Sequence, residues 1–548
     1  MMGTDFVDRV GGAALNNCGF ISTENLKVDF AAPFVWLMEM SMLGVGVGFD
    51  TKGANTLKIK EPTKGDQIFT IEDSREGWCE ALGRLLNAYV GKNVLPKEFD
   101  YSKIRKAGEP IKGFGGVSSG YQPLKELLDS LNVELDNNIG ESLSSELIVD
   151  IGNLIGRCVV SGNIRRSAEI AFGDYNDEVF LNLKNPDKNK DKLLHHRWAS
   201  NNSIFAKVGM DYTKFADMTI KNGEPGYEWL DNARMYSRMG REPDYSDMRA
   251  AGGNPCLEQT LESWELCCLC ETFPSKHDSL EDYLETLKYA YMYAKTVTLV
   301  STHSEQTNNV MLRNRRIGMS MSGIVQAIKK VGRREFFRWC DVGYNRIREL
   351  DGVYSEWLCV PKSRKVTSIK PSGTISILPG VTPGIHFPHS EYYIRRIRFQ
   401  EDSSLLKTIE KAGYKKERDK YSPNTIVVSF PIKEDYFDRC KKDVSMWEQL
   451  ELAAQMQQYW ADNQVSVTIT FKKDEEKDIK YALELYETRL KGVSFLPVDN
   501  HGYEQTPYEE ITEKEYDKMV SNVNKISKMS FDTHEKDEKF CDSDVCLI

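Results

Sequence analysis

The densest run of reactive side chains is Asn254-Pro255-Cys256-Leu257-Glu258, followed closely by Leu266-Cys267-Cys268-Leu269-Cys270. In an extended segment, residues two apart project to the same side. Asn254, Cys256 and Glu258 would then offer an amide, a thiol and a carboxylate to one small molecule. This trio suits hydrogen abstraction by sulfur, helped by a carboxylate base and an amide that orients hydroxyl groups. Zinc is the competing use of Cys267, Cys268 and Cys270. Structural zinc sites draw on paired ligand clusters, however, and no second close Cys or His pair follows, so no bound metal ion is expected here.

The remaining cysteines divide by context. Cys79, Cys158, Cys340, Cys359 and Cys440 are read as small buried apolar residues. Cys541 and Cys546 lie in the polar ending Phe540-Cys541-Asp542-Ser543-Asp544-Val545-Cys546-Leu547-Ile548. A dithiol on a mobile tail suits thiol–disulfide exchange with an interior disulfide; an accidental pair is the alternative.

Two segments suggest anion contacts. Pro371-Ser372-Gly373-Thr374 follows the apolar stretch Val366-Thr367-Ser368-Ile369, interrupted only by Lys370. Free backbone N–H groups in such a turn can cradle a phosphate, although P-S-G is also ordinary turn chemistry. Ser161-Gly162-Asn163-Ile164-Arg165-Arg166-Ser167 reads either as a solvated basic turn or as a loop that touches a nucleotide.

The elements that must position these groups follow an α/β pattern, with strands and helices alternating over most of the 548 residues. Val465 to Phe471 alternates apolar and hydroxyl residues, as in a half-buried strand. Ser445 and Ser279 look like helix caps. The first opens a helix with Leu450, Ala453, Met456 and Trp460 inward, the second a stripe of Tyr283, Leu284, Leu287, Tyr291 and Ala294. Phe30 to Phe49 is the longest apolar run, but Pro33, Glu39 and three glycines favour a buried helix leading into a glycine-rich strand over a membrane span. Asn185 to Lys192 reads as a charged surface loop. From about Tyr508 the chain turns strongly charged. The net charge of −10 gives no footprint for nucleic acid. The first residues lack the pattern of a signal peptide, and twelve cysteines without one argue for a reducing, cytoplasmic setting.

These segments together resemble the monomeric class II ribonucleoside-triphosphate reductases, which depend on adenosylcobalamin. The resemblance runs nearly end to end. It includes Leu15-Asn16-Asn17-Cys18, Gly46-Val47-Gly48-Phe49, Asp73-Ser74-Arg75-Glu76-Gly77-Trp78 and Arg165-Arg166-Ser167-Ala168-Glu169. Gly223-Glu224-Pro225-Gly226, Arg315-Arg316-Ile317-Gly318, Lys370 to Thr374 and Arg395-Arg396-Ile397-Arg398-Phe399 continue it.

The resemblance implies a ten-stranded α/β barrel of two five-stranded halves, with Cys256 on a loop threaded through the centre. It makes Cys256 the transient thiyl radical, Glu258 the base for the 3′-hydroxyl, and Asn254 the residue that binds the sugar hydroxyls. Cys18 and Cys267 become the pair oxidised by the substrate, with Cys267 and Cys268 pointing to different sides. Cys541 and Cys546 become the tail dithiol, recharged by a thioredoxin-type donor. Ser372, Gly373 and Thr374 correspond to a phosphate turn, and Gly162, Asn163, Arg165 and Arg166 to a loop relaying a deoxynucleotide effector's identity.

The implied organisation is a barrel over 1–507, with an effector region at about 48–150, and a C-terminal segment over 508–548 ending in the redox tail. A monomer is expected, without nucleic-acid or membrane partners. Family members carry a substantial portion before the position of Cys18, which lies near the start here. The chain is expected to be a fragment, one piece of a split gene, or a member that has lost that helical portion, a loss that would destabilise the first barrel strand or weaken effector binding without removing a catalytic position. Asp499-Asn500-His501-Gly502 lacks the spacing of a cobalt-ligating histidine motif, as the family does, and Tyr392-Tyr393 are read as packing residues. The rival readings are a truncated nucleotide-binding relative without full activity, and the large subunit of a diiron-dependent reductase acting on diphosphates.

Overall fold

A computed structural model of the chain describes residues 7, 11–109, 118–161, 168–401, 403–420, 425–498, 505–524 and 526. Five strands run parallel in chain order: β1 (Cys18–Ile21), β2 (Gly46–Asp50), β3 (Glu169–Asp174), β4 (Ser200–Phe205) and β5 (Gly226–Glu228). A second set holds β6 (Glu265–Thr272), β7 (Ile317–Met321), β8 (Thr468–Phe471) and β9 (Gly492–Pro497), with β6 parallel to β7 and β8 parallel to β9. The sets meet antiparallel at both ends, Cys18 opposite Cys267 and Gly492 opposite Glu228.

The segment 365–369 closes the sheet. It bridges β7 through Met319 and Thr367, and the approach to β8 through Ile369 and Val465, in parallel both times. Ile317 N donates to Lys365 O at 3.0 Å, and Ser466 N donates to Ile369 O at 2.9 Å. Counting this segment, the described residues form the expected barrel of two five-stranded parallel halves. Closure leaves the barrel no open edge, so its interior can hold polar chemistry away from water.

Parallel strands covered by helices are buried on both faces and therefore read as unbroken apolar runs. β1, β2 and β7 are buried at every position. The run from Phe30 resolves into the buried helix Ala32–Met42 and then β2, as its composition suggests. Ser279 and Ser445 cap their helices by accepting from the amides of Asp282 and Glu448. Between β2 and β3 lies an insertion: a parallel pair, Ile68–Thr70 with Glu98–Asp100, and helices Arg75–Ala88 and Gln122–Asp136 packed on the barrel's helices.

Three expectations need correction. Asn185–Lys192 is not a loop: Pro186–His195 is a helix, with Asn185 capping the amide of Asp187 and proline in its first turn. The break expected at 508 falls inside folded structure. Tyr508–Glu510 is an edge strand of a four-stranded sheet with Tyr392–Gln400, Thr425–Lys433 and Lys415–Arg418, and the helix Glu513–Ser521 follows it. The charges there are paired, Glu509 with Arg396 and Glu510 with Lys442. Cys359 is exposed and Cys440 half-buried, whereas Cys79, Cys158 and Cys340 are buried as expected. Among the described residues no helix is long and apolar enough to cross a membrane.

Candidate active site

The segment after β5 returns into the barrel as a hairpin finger. Gly252–Gly253 pairs antiparallel with Thr260–Leu261, and a tight turn closes at the tip, where Leu257 N donates to Asn254 O at 2.8 Å. Leu257 takes a left-handed φ of 55°. The tip is thus a turn and not the extended segment that the spacing suggested, yet it still gathers the predicted trio. Asn254 Oδ1 accepts from Gln259 N at 3.0 Å, which fixes the amide across the turn.

Glycines in the barrel wall make room for the finger. A Cβ at Gly48 of β2 would stand 2.0 Å from Gly253 O, and one at Gly492 of β9 would stand 2.6 Å from Leu257 Cδ2. The wall also grips the finger through Gln464. Its amide donates to Glu258 O at 3.0 Å, and its side chain donates to Thr260 Oγ1 and to Glu228 Oε1.

At the tip, the sulfurs of Cys18 and Cys256 and a carboxylate oxygen of Glu258 all lie within 4.8 Å of one another. Cys18 and Cys267 stand directly opposite in the β1–β6 ladder, where Cys18 N donates to Cys267 Sγ at 3.1 Å. Opposed residues of an antiparallel pair have the Cα separation that a disulfide requires. Cys268 faces away, its thiol donating to Ala294 O on the outer helix. The three inner thiols influence one another. Hydrogen bonding from Cys256 and Cys267 pulls the Cys18 thiol well below its ordinary value. Cys256 is pushed up by its bond to Cys18 and by burial, and Cys267 by burial and by Cys18.

Glu258 is buried, which raises its pKa against the pull of a neighbouring cation. That cation is Lys370, whose Nζ donates to Glu258 Oε1 at 3.1 Å. Sequence reasoning passes over Lys370; its only local mark is a lysine ending an apolar strand. Among the described residues, two polar atoms at the tip make no close hydrogen bond, Asn254 Nδ2 and Glu258 Oε2. A donor and an acceptor left open beside a thiol are arranged for a ligand bearing hydroxyl groups. Cys18, Cys256 and Glu258 are close enough to ligate a cation, but the Lys370 ammonium already balances the carboxylate.

Cys256 is only half-buried and lines a cavity of about 450 Å³ together with Pro371, Asn202, Ser203, Thr468 and Ser494. Pro371 opens the anticipated phosphate turn. Ser372 there has a left-handed φ of 52°, and its buried Oγ, which makes no close hydrogen bond among the described residues, faces the carboxyl group of Glu271. Among the described residues, the amides of 372–374 donate to no protein acceptor, and the space beside Gly373 is open to 4 Å. Free N–H groups in a turn of this kind are suited to an anion. Gly162, Asn163, Arg165, Arg166, Cys541 and Cys546 lie outside the described residues.

The chain's closed barrel and finger superimpose on the crystal structure of a B-12-dependent class II ribonucleotide reductase. The TM-score is 0.84 and the identity 30%, over 95% of this chain and 84% of that one. The fold is therefore that of a ribonucleotide reductase. Residues 50–135, the insertion between β2 and β3, match the family described as "B12-dependent ribonucleotide reductase, insertion domain". A Euglena gracilis protein named adenosylcobalamin-dependent ribonucleoside-triphosphate reductase is 49% identical, covering all of this chain and 76% of its own length. A Dictyostelium discoideum protein named "Probable adenosylcobalamin-dependent ribonucleoside-triphosphate reductase" is 52% identical, over 98% of this chain and 74% of its own length. The chain belongs to the adenosylcobalamin-dependent ribonucleoside-triphosphate reductase family.

Proposed function

We propose that this chain reduces ribonucleoside triphosphates to 2′-deoxyribonucleoside triphosphates, with adenosylcobalamin as its radical source. The observation that carries this reading is the grouping of Cys256, Cys18 and Glu258 within 4.8 Å, at the tip of a finger inside a closed barrel. The adenosyl portion of the cofactor would lie in the cavity beside Cys256. Asn201, Asn202, Ser203 and Ser494 offer amides and hydroxyls there beside the Glu224 carboxyl group, donors and acceptors suited to a hydroxyl-bearing adenosyl group. Bound there, adenosylcobalamin would supply the radical chemistry needed to turn the Cys256 thiol into a thiyl radical.

The chain's own residues account for the rest. Asn254 Nδ2 and Glu258 Oε2, both open, hold the ribose hydroxyls, while the amides of 372–374 hold phosphate. The Cys256 sulfur takes the 3′ hydrogen atom and later returns it. Glu258 accepts the 3′-hydroxyl proton, and burial, which raises its pKa, makes it a stronger base than an exposed carboxylate. The 2′-hydroxyl leaves as water after protonation by the Cys18–Cys267 pair, which gives up two electrons and closes as a disulfide. One ribonucleotide and one dithiol thus yield one deoxyribonucleotide, one disulfide and one water.

We assign Cys541 and Cys546 to re-reduction of that disulfide, with a thioredoxin-type protein as the external donor. The insertion and the loop containing Gly162 and Arg166 are assigned to a deoxynucleotide effector. The working unit is taken as a monomer in the cytoplasm. Incubation of the protein with a dithiol and a ribonucleoside triphosphate tests this reading. Deoxynucleotide should form only when adenosylcobalamin is added, and faster from tri- than from diphosphates. No product with the cofactor present would overturn it.

A further inference from the structure

Glu271 of β6 lies in register with Ser320 of β7 and belongs to none of the groups described so far. Ser322 Oγ donates to Glu271 Oε1 at 2.6 Å, and the hydroxyls of Ser372 and Ser320 also interact with this carboxyl group. Each hydroxyl ties down a different part of the loop that carries the phosphate turn. Ser320 Oγ accepts from Lys370 N at 2.9 Å, where the loop begins. Ser322 Oγ accepts from Gly384 N at 3.0 Å, where it ends. Ser372 lies within the turn itself. The two ends touch, since a Cβ at Gly384 would stand 2.3 Å from Lys370 O. A hydroxyl that accepts an amide N–H keeps its own proton to donate; Ser322 donates its proton to Glu271, and Ser320 at the other end faces the same carboxyl group.

We propose that Glu271 is a positioning residue for the substrate's phosphates, holding the neck of the 370–384 loop and taking up a proton when a nucleoside triphosphate docks on Ser372–Thr374. This rests on the phosphate-turn reading above. Burial raises Glu271 to about 7, against the opposing pull of the Ser322, Ser372 and Ser320 hydroxyls and Lys370. The other titratable groups facing it are Cys270 on its own strand and Tyr283 on the helix Leu280–Val297. Both have raised pKa values and are neutral near pH 7, so Lys370 is the charge that matters. A multiply charged phosphate chain arriving beside this carboxylate penalises its ionised form and favours protonation. Triphosphate affinity should therefore fall as pH rises through the ionisation of Glu271.

Calorimetric titration with CTP in buffers of different ionisation enthalpy measures the protons taken up. The nucleotide's own ionisation is common to all variants and cancels in the difference. At pH 7.5 the wild type should take up roughly half a proton more per CTP than Glu271→Gln. Its affinity should fall several-fold between pH 6.5 and 8.5, while that of Glu271→Gln stays nearly level. Ser322→Ala removes a donor to the carboxylate, so it should move the fall in affinity to higher pH. Equal uptake by wild type and Glu271→Gln would overturn the proposal. A separate arm tests its foundation, since Gly373→Asp should weaken CTP at least tenfold. Unchanged affinity in that variant would overturn the phosphate turn itself, whereas weakened affinity with equal proton uptake overturns the role of Glu271 alone.

Discussion

Lys370 Nζ and Glu258 Oε1 are 3.1 Å apart, linking the first residue of the phosphate loop to the carboxylate at the tip of the finger. The contact joins the site's two halves and sets the protonation of the base, because burial pushes Glu258 up while Lys370 pulls it down. Lys370→Met removes the opposing charge, so Glu258 ionises only at higher pH. The acid limb of the kcat profile is expected to move alkaline, with kcat at pH 7 reduced about 10²-fold, as for loss of a working general base. An unmoved acid limb would show that Lys370 does not tune this carboxylate.

The facing positions of Cys18 and Cys267 separate interior from external reduction. In protein reduced beforehand and freed of dithiol, Cys267→Ser should form no deoxynucleotide, because no disulfide partner remains for Cys18. Cys541→Ser should give about one product per chain and then stop, since only re-reduction is lost. Rapid-quench counting of product per chain distinguishes them. A full first turnover by Cys267→Ser would remove that cysteine from the chemistry.

Gly48 tests the threading of the finger. An alanine Cβ there would meet Gly253 O at 2.0 Å, a backbone atom that cannot swing aside. Gly48→Ala is expected to displace the tip and lower kcat by about 10²-fold, since small misplacements of reacting groups are costly. Nucleotide affinity should change much less. Wild-type turnover in this variant would mean that the finger sits further from β2.

How much of this the chain betrays in one dimension depends on distance along it. The helix caps at Ser279 and Ser445 are legible because each bond spans three residues. The Asn254, Cys256 and Glu258 trio is legible as well, although its geometry is a turn closed by Leu257 and not an extended strand. Cys18 is different. Its partner Cys267 is 249 residues away, and only family resemblance brings the two together. Lys370, Gln464 and Glu228 are missed for the same reason, since each acts through contacts that the barrel alone creates. Charge misleads twice, at Pro186–His195 and at Tyr508–Glu510, where polar residues belong to regular elements through capping and cross-strand pairing.

Glu228 gives a pH signature of stability. Buried beneath the finger, it is raised to about 8 by burial, above its unfolded value. A carboxyl group raised on folding contributes fully at low pH, and its contribution is lost as pH climbs toward the folded value. Glu228→Gln keeps an oxygen for Gln464 but cannot ionise. Its melting temperature should match the wild type at pH 5 and exceed it by a few degrees at pH 9. Calorimetry at both values decides the point, and a gap of equal size at each pH would contradict it.

The most direct test of the central claim is product formed in a single turnover by wild-type protein and by Cys256→Ala, each with adenosylcobalamin, CTP and no external reductant. Wild type should give about one deoxynucleotide or more per chain, according to how many of its dithiols start reduced, and Cys256→Ala should give none while still binding CTP. Deoxynucleotide from Cys256→Ala at the wild-type level would contradict the account.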